Sequence, residues 1–291
     1  MMFGPRLELK TPAQIKTMRK AGLVTRAALE AARAACVPGA TTADVDAAGA
    51  RAIAEAGARS NFKGYHGFPG TLCVSVNEEI VHGIPGGRVL EAGDIVSIDG
   101  GAIVGGFHGD SAMTVFVGGE EAASAEDREL SRVTEASMWA GIAAFATAAR
   151  VGDIGAAIEE TVDDLGSAAA LSESLGTQRS RGFGLIMEYT GHGIGSQMHM
   201  EPEVLNYAAK QLGPKIKPGL VLCIEPMLTA GSAATEVLDD DWTVVTKDGS
   251  HASHWEHAVA RHSKGIWVLT APDGGAAGLA PYGITPVPLE D

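Results

Sequence analysis

A weak internal repeat is the feature of this sequence that most restricts its fold. The first half contains HGI at residues 82–84 followed by LEAGDIVSID at 90–99, and the second contains HGI at 192–194 followed by IKPGLVLCIE at 216–225. In both halves, the tripeptide leads through a turn glycine into an apolar strand pattern that ends in a carboxylate. Related segments at corresponding points of a chain indicate a duplicated architecture. The repeat therefore predicts a pseudo-symmetric α+β fold in which helices cover one curved antiparallel sheet facing a central site.

Helical patterns precede the strands in both halves. Thr11-Pro12-Ala13-Gln14 is typical of a helix start, since threonine can cap, proline suits the first turn and glutamine can complete a capping box. This helix is predicted to run to about Cys36. Further helices are predicted over residues 42–56, 124–149 and 153–169. Short β-rich runs occupy residues 72–76, 94–98, 113–117, 220–224, 242–246 and 266–269.

Composition and charge exclude several classes of protein. With 291 residues, 45% of them hydrophobic, the chain can bury a substantial core, and we expect one catalytic domain over residues 1–291. The net charge of −14 and the lack of a dense basic run argue against a nucleic-acid partner. Residues 1–10 form a short arm without an apolar leader segment, and no apolar run is long enough to cross a bilayer. The Gly- and Pro-rich residues 271–291 are expected to form a flexible or draped tail.

The cysteines point to a reducing compartment. Cys36, Cys73 and Cys223 form no CxxC pair, and their odd number excludes a complete disulfide framework. We therefore expect a cytoplasmic protein without a membrane partner. Cys36 and Cys223 are interpreted as small core residues.

Four carboxylates lie at or near strands that should be buried. Asp99 ends an apolar run, and Asp110 follows eleven residues later, a spacing that suits two strands joined by a hairpin. Glu225 repeats the setting of Asp99, and Glu256 lies in the apolar pattern WEHAV. Taken singly, each acid could equally be a turn cap or an ion-pair partner. Taken together, four buried acids would repel one another and become neutral unless cations compensate them.

Two divalent cations would balance these four charges. With His192 as a nitrogen ligand, the set mixes oxygen and nitrogen donors and suits Mn, Fe, Co or Zn without selecting among them. A water held between two such ions becomes a source of hydroxide near neutral pH. The pattern therefore favours a two-metal hydrolase.

A longer set of motifs resembles a known family. Residues 189–199, YTGHGIGSQMH, continuing through VLNY at 204–207, are similar to the signature of type I methionine aminopeptidases. Further matches, in the order of the family, are GYHGFP at 64–69, SVNE at 75–78, VHGIP at 81–85, ID at 98–99, HGD at 108–110, IEPM at 224–227 and EH at 256–257. The resemblance covers most of the chain from about Thr11 to Leu269. It implies the pita-bread fold and a monomer that acts on the N-termini of nascent polypeptides near the ribosome.

The resemblance also implies roles for individual residues. The metal ligands it implies are Asp99, Asp110, His192, Glu225 and Glu256. Glu225 would also move protons, His199 would donate to the substrate carbonyl, and His82 would contact the scissile amide or the next residue. The methionine pocket would have apolar, soft or aromatic walls, and the candidates are Tyr65, Phe68, Cys73, Met198 and Trp242, although ordinary core packing explains Cys73 and Met198 nearly as well.

Some features depart from the compact family pattern, and two other functions compete. Residues 171–182 are predicted to be an inserted surface loop. The absence of a zinc-binding N-terminal extension, and of a large insertion between Glu225 and Glu256, favours a bacterial-style type I enzyme.

The first alternative is an Xaa-Pro aminopeptidase or prolidase of the same fold. The second is a non-catalytic pita-bread protein that binds histones, nucleic acid or ribosomes, which the retention of all five ligand positions disfavours.

Overall fold

Long helices form two pairs, one in each half of the chain. The computed structural model describes residues 7–171 and 182–289. Within those ranges, α1 packs against α2 and α3 against α4. The four helices are α1 (Pro12–Ala35), α2 (Thr42–Glu55), α3 (Ala125–Thr147) and α4 (Gly152–Leu171). Each lies within three residues of its predicted ends, so local sequence signals determine these elements.

The first helix begins with the capping box that the sequence predicts. The Thr11 hydroxyl accepts the Gln14 N–H at 3.3 Å, and the Gln14 side chain accepts the Thr11 N–H at 2.8 Å. Both bonds satisfy amide groups that the first turn of a helix leaves without partners. Ile15, Met18 and Leu29 then lie on the buried face of α1, which packs on the strands below it.

The strands form four hydrogen-bonded, antiparallel sheets in the described residues, which together with the helices make up the predicted α+β architecture. The first-half strands are β1 (Arg59–Ser60), β2 (Leu72–Val76), β3 (Glu79–Val81), β4 (Ile95–Val104) and β5 (Phe107–Phe116). The others are β6 (Gly184–Leu185), β7 (Gly191–Gly193), β8 (Met200–Val204), β9 (Val221–Ile224), β10 (Met227–Thr229), β11 (Thr235–Val237), β12 (Val244–Thr246), β13 (Ala252–His254), β14 (His257–His262) and β15 (Gly265–Val268). The two larger sheets have the orders β1-β4-β2, with β5 on β4, and β15-β14-β9-β7-β8. The two smaller ones are β13-β10-β6 and β11-β12-β3.

The duplicated pattern is visible in how the acid-bearing strands are flanked. In the first half β4 lies between β2 and β5, and in the second half β9 lies between β7 and β14, with all pairs antiparallel. The two larger sheets meet where the Glu256 N–H donates to the Ala112 carbonyl at 3.1 Å. The carboxylates of both halves are therefore directed to one place.

The two HGI tripeptides, in contrast, do not occupy equivalent positions, and that part of the predicted repeat is wrong. His192 lies in β7, directly beside β9. His82 follows β3, which belongs to a different sheet from β4. The strand that corresponds to β7 in the first half is β2, because β2 is the neighbour of β4. Strand pairing is a long-range property, which a tripeptide match does not report.

A close approach of backbones brings α1 onto the first sheet. A side chain at Gly109 on β5 would overlap the backbone of Ala21 and Gly22 on α1, with a Cβ only 2.6 Å from the Gly22 nitrogen. Glycine at residue 109 is therefore required by packing, one residue before Asp110. This contact holds the strand that carries Asp110 firmly against the helix.

The C-terminal segment lies draped over the core in its described part. It contains a short helix, α5 (Ala276–Leu279), and Leu279 is completely buried in the cluster formed with α3 and β15. The Val287 N–H donates to the Ile266 carbonyl at 2.8 Å. The predicted insertion at residues 171–182 lies almost entirely outside the described residues, as does the arm before residue 7. No helix in the described ranges has the length and apolar character needed to cross a membrane.

A charged pair at the start of α3 predicts a pH-dependent contribution to stability. The His251 Nδ1 lies 2.8 Å from the Asp127 Oδ1, and this hydrogen bond raises the pKa of His251. A histidine with a raised pKa stabilises the fold fully below its unfolded value of 6.5, and that contribution is lost as pH rises through the folded pKa. Because the His251 side chain is 38% exposed, solvent screening limits the effect to less than about 1 kcal/mol.

Urea unfolding of the wild type and of His251→Ala measures this effect. We expect the variant to lose more free energy of unfolding at about pH 6 than at about pH 9. The control compares Asp127→Asn with the double variant Asp127→Asn, His251→Ala. The free-energy loss between these two should be the same at both pH values. An equal loss at both pH values would contradict a role for the charged form of His251.

Candidate metal centre and adjoining pocket

The β4–β5 hairpin brings two of the acids together. Asp99 on β4 lies opposite Ala112, and Asp110 on β5 lies opposite Gly101. Since side chains two residues apart on a strand share a face, Asp99 and Asp110 are diagonal neighbours on one face of the sheet. The hairpin that the eleven-residue spacing predicted is therefore present. Both side chains are buried.

The β9–β14 pair brings the other two acids to the same place. Its register pairs Ile224 with His257, which sets Glu225 and Glu256 side by side. The His192 Nε2 on β7 lies 3.4 Å from the Glu225 Oε1. Potential ligand atoms of Asp110, His192 and Glu256 lie within 4.8 Å of one another. All five predicted ligand positions line one pocket.

Each of the four carboxylates has a buried oxygen with no hydrogen-bond partner. These atoms are the Asp99 Oδ1, the Asp110 Oδ1, the Glu225 Oε1 and the Glu256 Oε1. Buried polar atoms in native proteins almost always have a partner, because burying an unpaired one costs free energy. Four such oxygens in one place indicate a site built to hold cations.

Burial and mutual repulsion raise the pKa of every acid in this cluster. Burial raises the pKa of Asp99 to about 8. Burial, followed by repulsion from Glu256 and Asp99, raises the pKa of Asp110 well above its usual value. Glu225 and Glu256 are shifted in the same direction by burial and then by neighbouring acids. Without cations these acids favour the neutral, protonated form, and bound divalent cations would instead stabilise their charged form.

The histidine of the cluster is suited to bind a metal ion. Burial, followed by the proximity of His199, lowers the pKa of His192 to about 3, so that its imidazole is neutral. Its Nδ1 lies 3.0 Å from the Gly193 carbonyl, which leaves the Nε2 directed towards Glu225. A neutral imidazole with one nitrogen held by the backbone is the usual form of a histidine ligand. Gly193 is needed here, because a Cβ would overlap the carbonyl of Glu201.

Cys223 belongs to this cluster, although the sequence suggested only a core role for it. Its sulfur lies within 4.8 Å of ligand atoms from Asp110, His192 and Glu256. Burial and the surrounding acids raise the pKa of its thiol well above the usual value, so it remains protonated. The signal that could have found it is its position two residues before Glu225, on the same face of β9.

The pocket that the carboxylates line also has apolar walls. Its whole volume, including the space between the carboxylates, is about 190 Å³, which is smaller than a typical drug-sized site. Phe68, Cys73 and Met198 are buried in one cluster with Phe62, and Tyr65 and Trp242 pack against it. The Phe68 and Trp242 rings are 5.1 Å apart in an edge-to-face arrangement. The structure thus brings together all five pocket candidates of the sequence.

The pocket also has walls that the sequence did not indicate. These residues are Phe62, Val81, Tyr189, Thr190 and Met227. Tyr189 and Thr190 directly precede Gly191-His192, so their place beside the ligand strand was a usable signal. Phe62 and Met227 carry none, because they reach the pocket only through long-range packing.

Two further histidines line the mouth of the pocket. The His199 Nδ1 lies 2.8 Å from the Tyr65 hydroxyl, and its ring meets that of His192 edge-to-face at 4.3 Å. The His82 ring packs between Tyr189 and Trp242, each 5.9 Å away. Burial and nearby histidines lower the pKa of both, to about 4 for His82. Both imidazoles are neutral near pH 7 and can donate one N–H.

Comparison with known proteins agrees with this geometry. The model of metallopeptidase family M24 matches residues 16–261. The methionine aminopeptidase 1 of Mycobacterium tuberculosis is 46% identical over 262 residues, which cover 90% of this chain and 94% of that protein. The crystal structure of methionine aminopeptidase from Thermotoga maritima superposes with a TM-score of 0.82 at 37% identity, covering 91% of this chain and 99% of that one. Prolidase from Pyrococcus furiosus has a TM-score of 0.67 at 20% identity and is covered only to 65%, which shows the fold alone.

The fold and the acid cluster define a metal-dependent peptidase, and the chain belongs to metallopeptidase family M24. The pita-bread architecture that the sequence predicted is that of this family's solved relatives. Within the family, identity over nearly the whole chain places it among the methionine aminopeptidases.

Proposed function

We propose that this chain removes the N-terminal methionine from nascent proteins and peptides, preferring a small second residue, by two-metal hydrolysis of the first peptide bond. The observation that carries the proposal is the set of four unpartnered carboxylate oxygens in a small pocket that also has apolar walls. A site of this kind can hold cations beside a bound side chain. The methionine aminopeptidases among its relatives support the choice of substrate.

The donor set suits two divalent ions held by Asp99, Asp110, His192, Glu225 and Glu256. Four acidic side chains and one neutral imidazole balance two divalent charges and provide mixed oxygen and nitrogen ligands. Co, Mn, Fe and Zn all fit such a set. When bound, divalent ions lower the pKa of water, so that hydroxide becomes available near neutral pH.

The side chains around this centre have separate tasks in the proposed reaction. The apolar walls formed by Phe68, Cys73 and Trp242 bind the methionine side chain and exclude water. His199 donates an N–H to the scissile carbonyl, where negative charge develops in the transition state. His82 contacts the scissile amide or the next residue. Glu225, besides its place among the ligands, moves a proton towards the departing amine.

The remaining walls complete the substrate pocket. Met198 and Tyr65 pack beside the apolar cluster, and the Tyr65 hydroxyl holds the Nδ1 of His199 at 2.8 Å. That contact leaves the His199 Nε2 as the nitrogen available to substrate. We therefore assign both residues to substrate binding.

The proposed partners are the free N-termini of nascent polypeptides, in the cytoplasm and near the ribosome. Three buried free cysteines are compatible with a reducing compartment. We propose that the enzyme acts as a monomer, because the described residues of one chain supply all the ligand positions and pocket walls. We also propose that it has no nucleic-acid partner, since its net charge is −14, and no membrane partner.

Peptide hydrolysis after removal of metal tests the proposed function. Chelator-treated protein should be inactive, and adding Mn, Fe, Co or Zn in turn should restore hydrolysis of Met-Ala-Ser. Since the proposed function includes a preference for a small second residue, Met-Ala-Ser should be cleaved at least about tenfold faster than Met-Phe-Ser. Release of free methionine measures both results.

The same assay includes the competing substrate. Xaa-Pro peptides are the control, since a prolidase of this fold would share the ligands but cut before proline. Faster cleavage of Xaa-Pro peptides than of Met-Ala-Ser would contradict the proposed substrate. A protein that cleaves neither peptide with any of the four metals would overturn the proposed hydrolase.

A further inference from the structure

His254 is a buried histidine next to the acid cluster that the proposed mechanism does not use. His254 is the last residue of β13, and only 1% of its surface is exposed to solvent. Its Nε2 is buried without a hydrogen-bond partner. The Glu225 Oε2 lies 3.8 Å from this nitrogen, which is too far for a hydrogen bond. A buried imidazole nitrogen without a partner calls for an explanation in terms of a group it can serve.

Glu225 lies between two histidines, with one oxygen directed to each. Its Oε1 is 3.4 Å from the Nε2 of His192, on the side of the other ligand atoms. Its other oxygen, the Oε2, is 3.8 Å from the Nε2 of His254. A cation held at the Oε1 would therefore leave the Oε2 as a free acceptor facing His254.

The backbone of His254 is held firmly in place. Its N–H is shared between the Ser97 and Thr114 hydroxyls, each at 3.1 Å, and its carbonyl accepts the Thr114 hydroxyl at 2.9 Å. The residue is also paired with Met227 on β10, two residues after Glu225. Since the histidine backbone and the neighbouring strand are both fixed, a rotation of the Glu225 side chain is the movement that would close the 3.8 Å gap.

We propose that His254 is a positioning residue, which donates an N–H from its Nε2 to the Oε2 of Glu225 and so orients the Oε1 towards the metal centre. The proposal rests on the proposed function, because it requires that the acid cluster bind divalent ions. A donor behind a ligand carboxylate restricts its rotation and is typically worth 10- to 100-fold in metal affinity, as an order of magnitude. His254 touches neither substrate nor metal in this account and acts through Glu225.

Metal titration of chelator-stripped protein tests this role without measuring activity. Mn²⁺ is titrated calorimetrically into the wild type, His254→Phe and His254→Gln. Phenylalanine keeps an aromatic ring but has no N–H, so we expect Mn²⁺ affinity to fall about 10- to 100-fold. Glutamine keeps an N–H donor with a similar reach, so its affinity should stay close to that of the wild type.

The matched control is another buried histidine, at the end of β14 in the neighbouring sheet. His262 is 3% exposed, its Nε2 contacts the Val287 carbonyl at 2.7 Å, and it lies six residues beyond Glu256. His262→Phe should leave Mn²⁺ affinity unchanged. Circular dichroism checks that each variant folds, and His254→Leu replaces the phenylalanine variant if that one does not.

The outcomes separate this inference from the proposed function. Unchanged Mn²⁺ affinity in His254→Phe, or an equal loss in the phenylalanine and glutamine variants, would overturn the positioning role. A wild type that binds Mn²⁺ but leaves Met-Ala-Ser intact overturns the proposed function, while the comparison of the variants still decides the role of His254. A wild type that binds no divalent ion overturns both.

Discussion

Replacing Asp110 with alanine should abolish turnover and metal retention together. Asp110 has a buried, unpartnered oxygen and lies at the centre of the cluster with His192 and Glu256. Its carboxylate would help to hold the divalent ions, so its loss should disrupt the whole centre. Metal-assisted hydrolysis draws several kcal/mol of transition-state stabilisation from the ions, which corresponds to a loss of about a thousandfold or more in rate.

Metal analysis and peptide hydrolysis on the same samples measure this result. Elemental analysis gives the metal content of Asp110→Ala after dialysis, and methionine release from Met-Ala-Ser gives its turnover. The Glu256→Ala variant should behave in the same way, because Glu256 has a buried, unpartnered oxygen in the same cluster. Normal activity in either variant would contradict the assignment of these carboxylates as metal ligands.

A buried aspartate outside the centre provides the control for this experiment. Asp127 is 5% exposed and caps α3 through its contacts with Ser124 and His251. Asp127→Ala should lower stability, because a capping interaction is typically worth about 0.5–2 kcal/mol. It should retain metal and turnover. A comparable loss of metal in Asp127→Ala would mean that unfolding, rather than ligand removal, explains the effect of Asp110→Ala.

The elements that local chemistry determines were predictable from the sequence. The start of α1 follows from four residues whose side chains and backbone form the capping box. The β4–β5 hairpin follows from two apolar runs and the glycines between them. The placement of Asp99 and Asp110 near each other then follows from strand periodicity alone.

What could not be predicted depends on pairing between distant segments. The HGI tripeptides looked equivalent, yet one lies beside β9 and the other beyond β3, because sheet order is set by long-range packing. The same holds for His254, whose relation to Glu225 arises only when β13 pairs with β10. Cys223 is an intermediate case. The sequence spacing to Glu225 predicts which face of β9 carries the Cys223 side chain, but it does not predict which residues of other strands lie beside it.

The second large effect is expected at the mouth of the pocket, in His199→Ala. In this variant kcat should fall by about a hundredfold to a thousandfold, which is the usual cost of losing one donor to a developing oxyanion. The metal content should change far less. Burial and His66 lower the pKa of His199, so the ring is neutral near pH 7. Because the Tyr65 hydroxyl holds its Nδ1, the Nε2 is the nitrogen that can donate to substrate.

Separate measurement of kcat, KM and bound metal distinguishes this role from ligation. A group that acts only on the transition state lowers kcat and kcat/KM equally and leaves KM nearly unchanged. His199→Gln keeps an N–H donor and should recover part of the lost rate. The His199 ring contacts that of His192 at 4.3 Å, so removing it could also disturb a ligand. If His199→Ala lost its metal in proportion to its activity, His199 would have to be reassigned to the metal centre, and the oxyanion would need another donor.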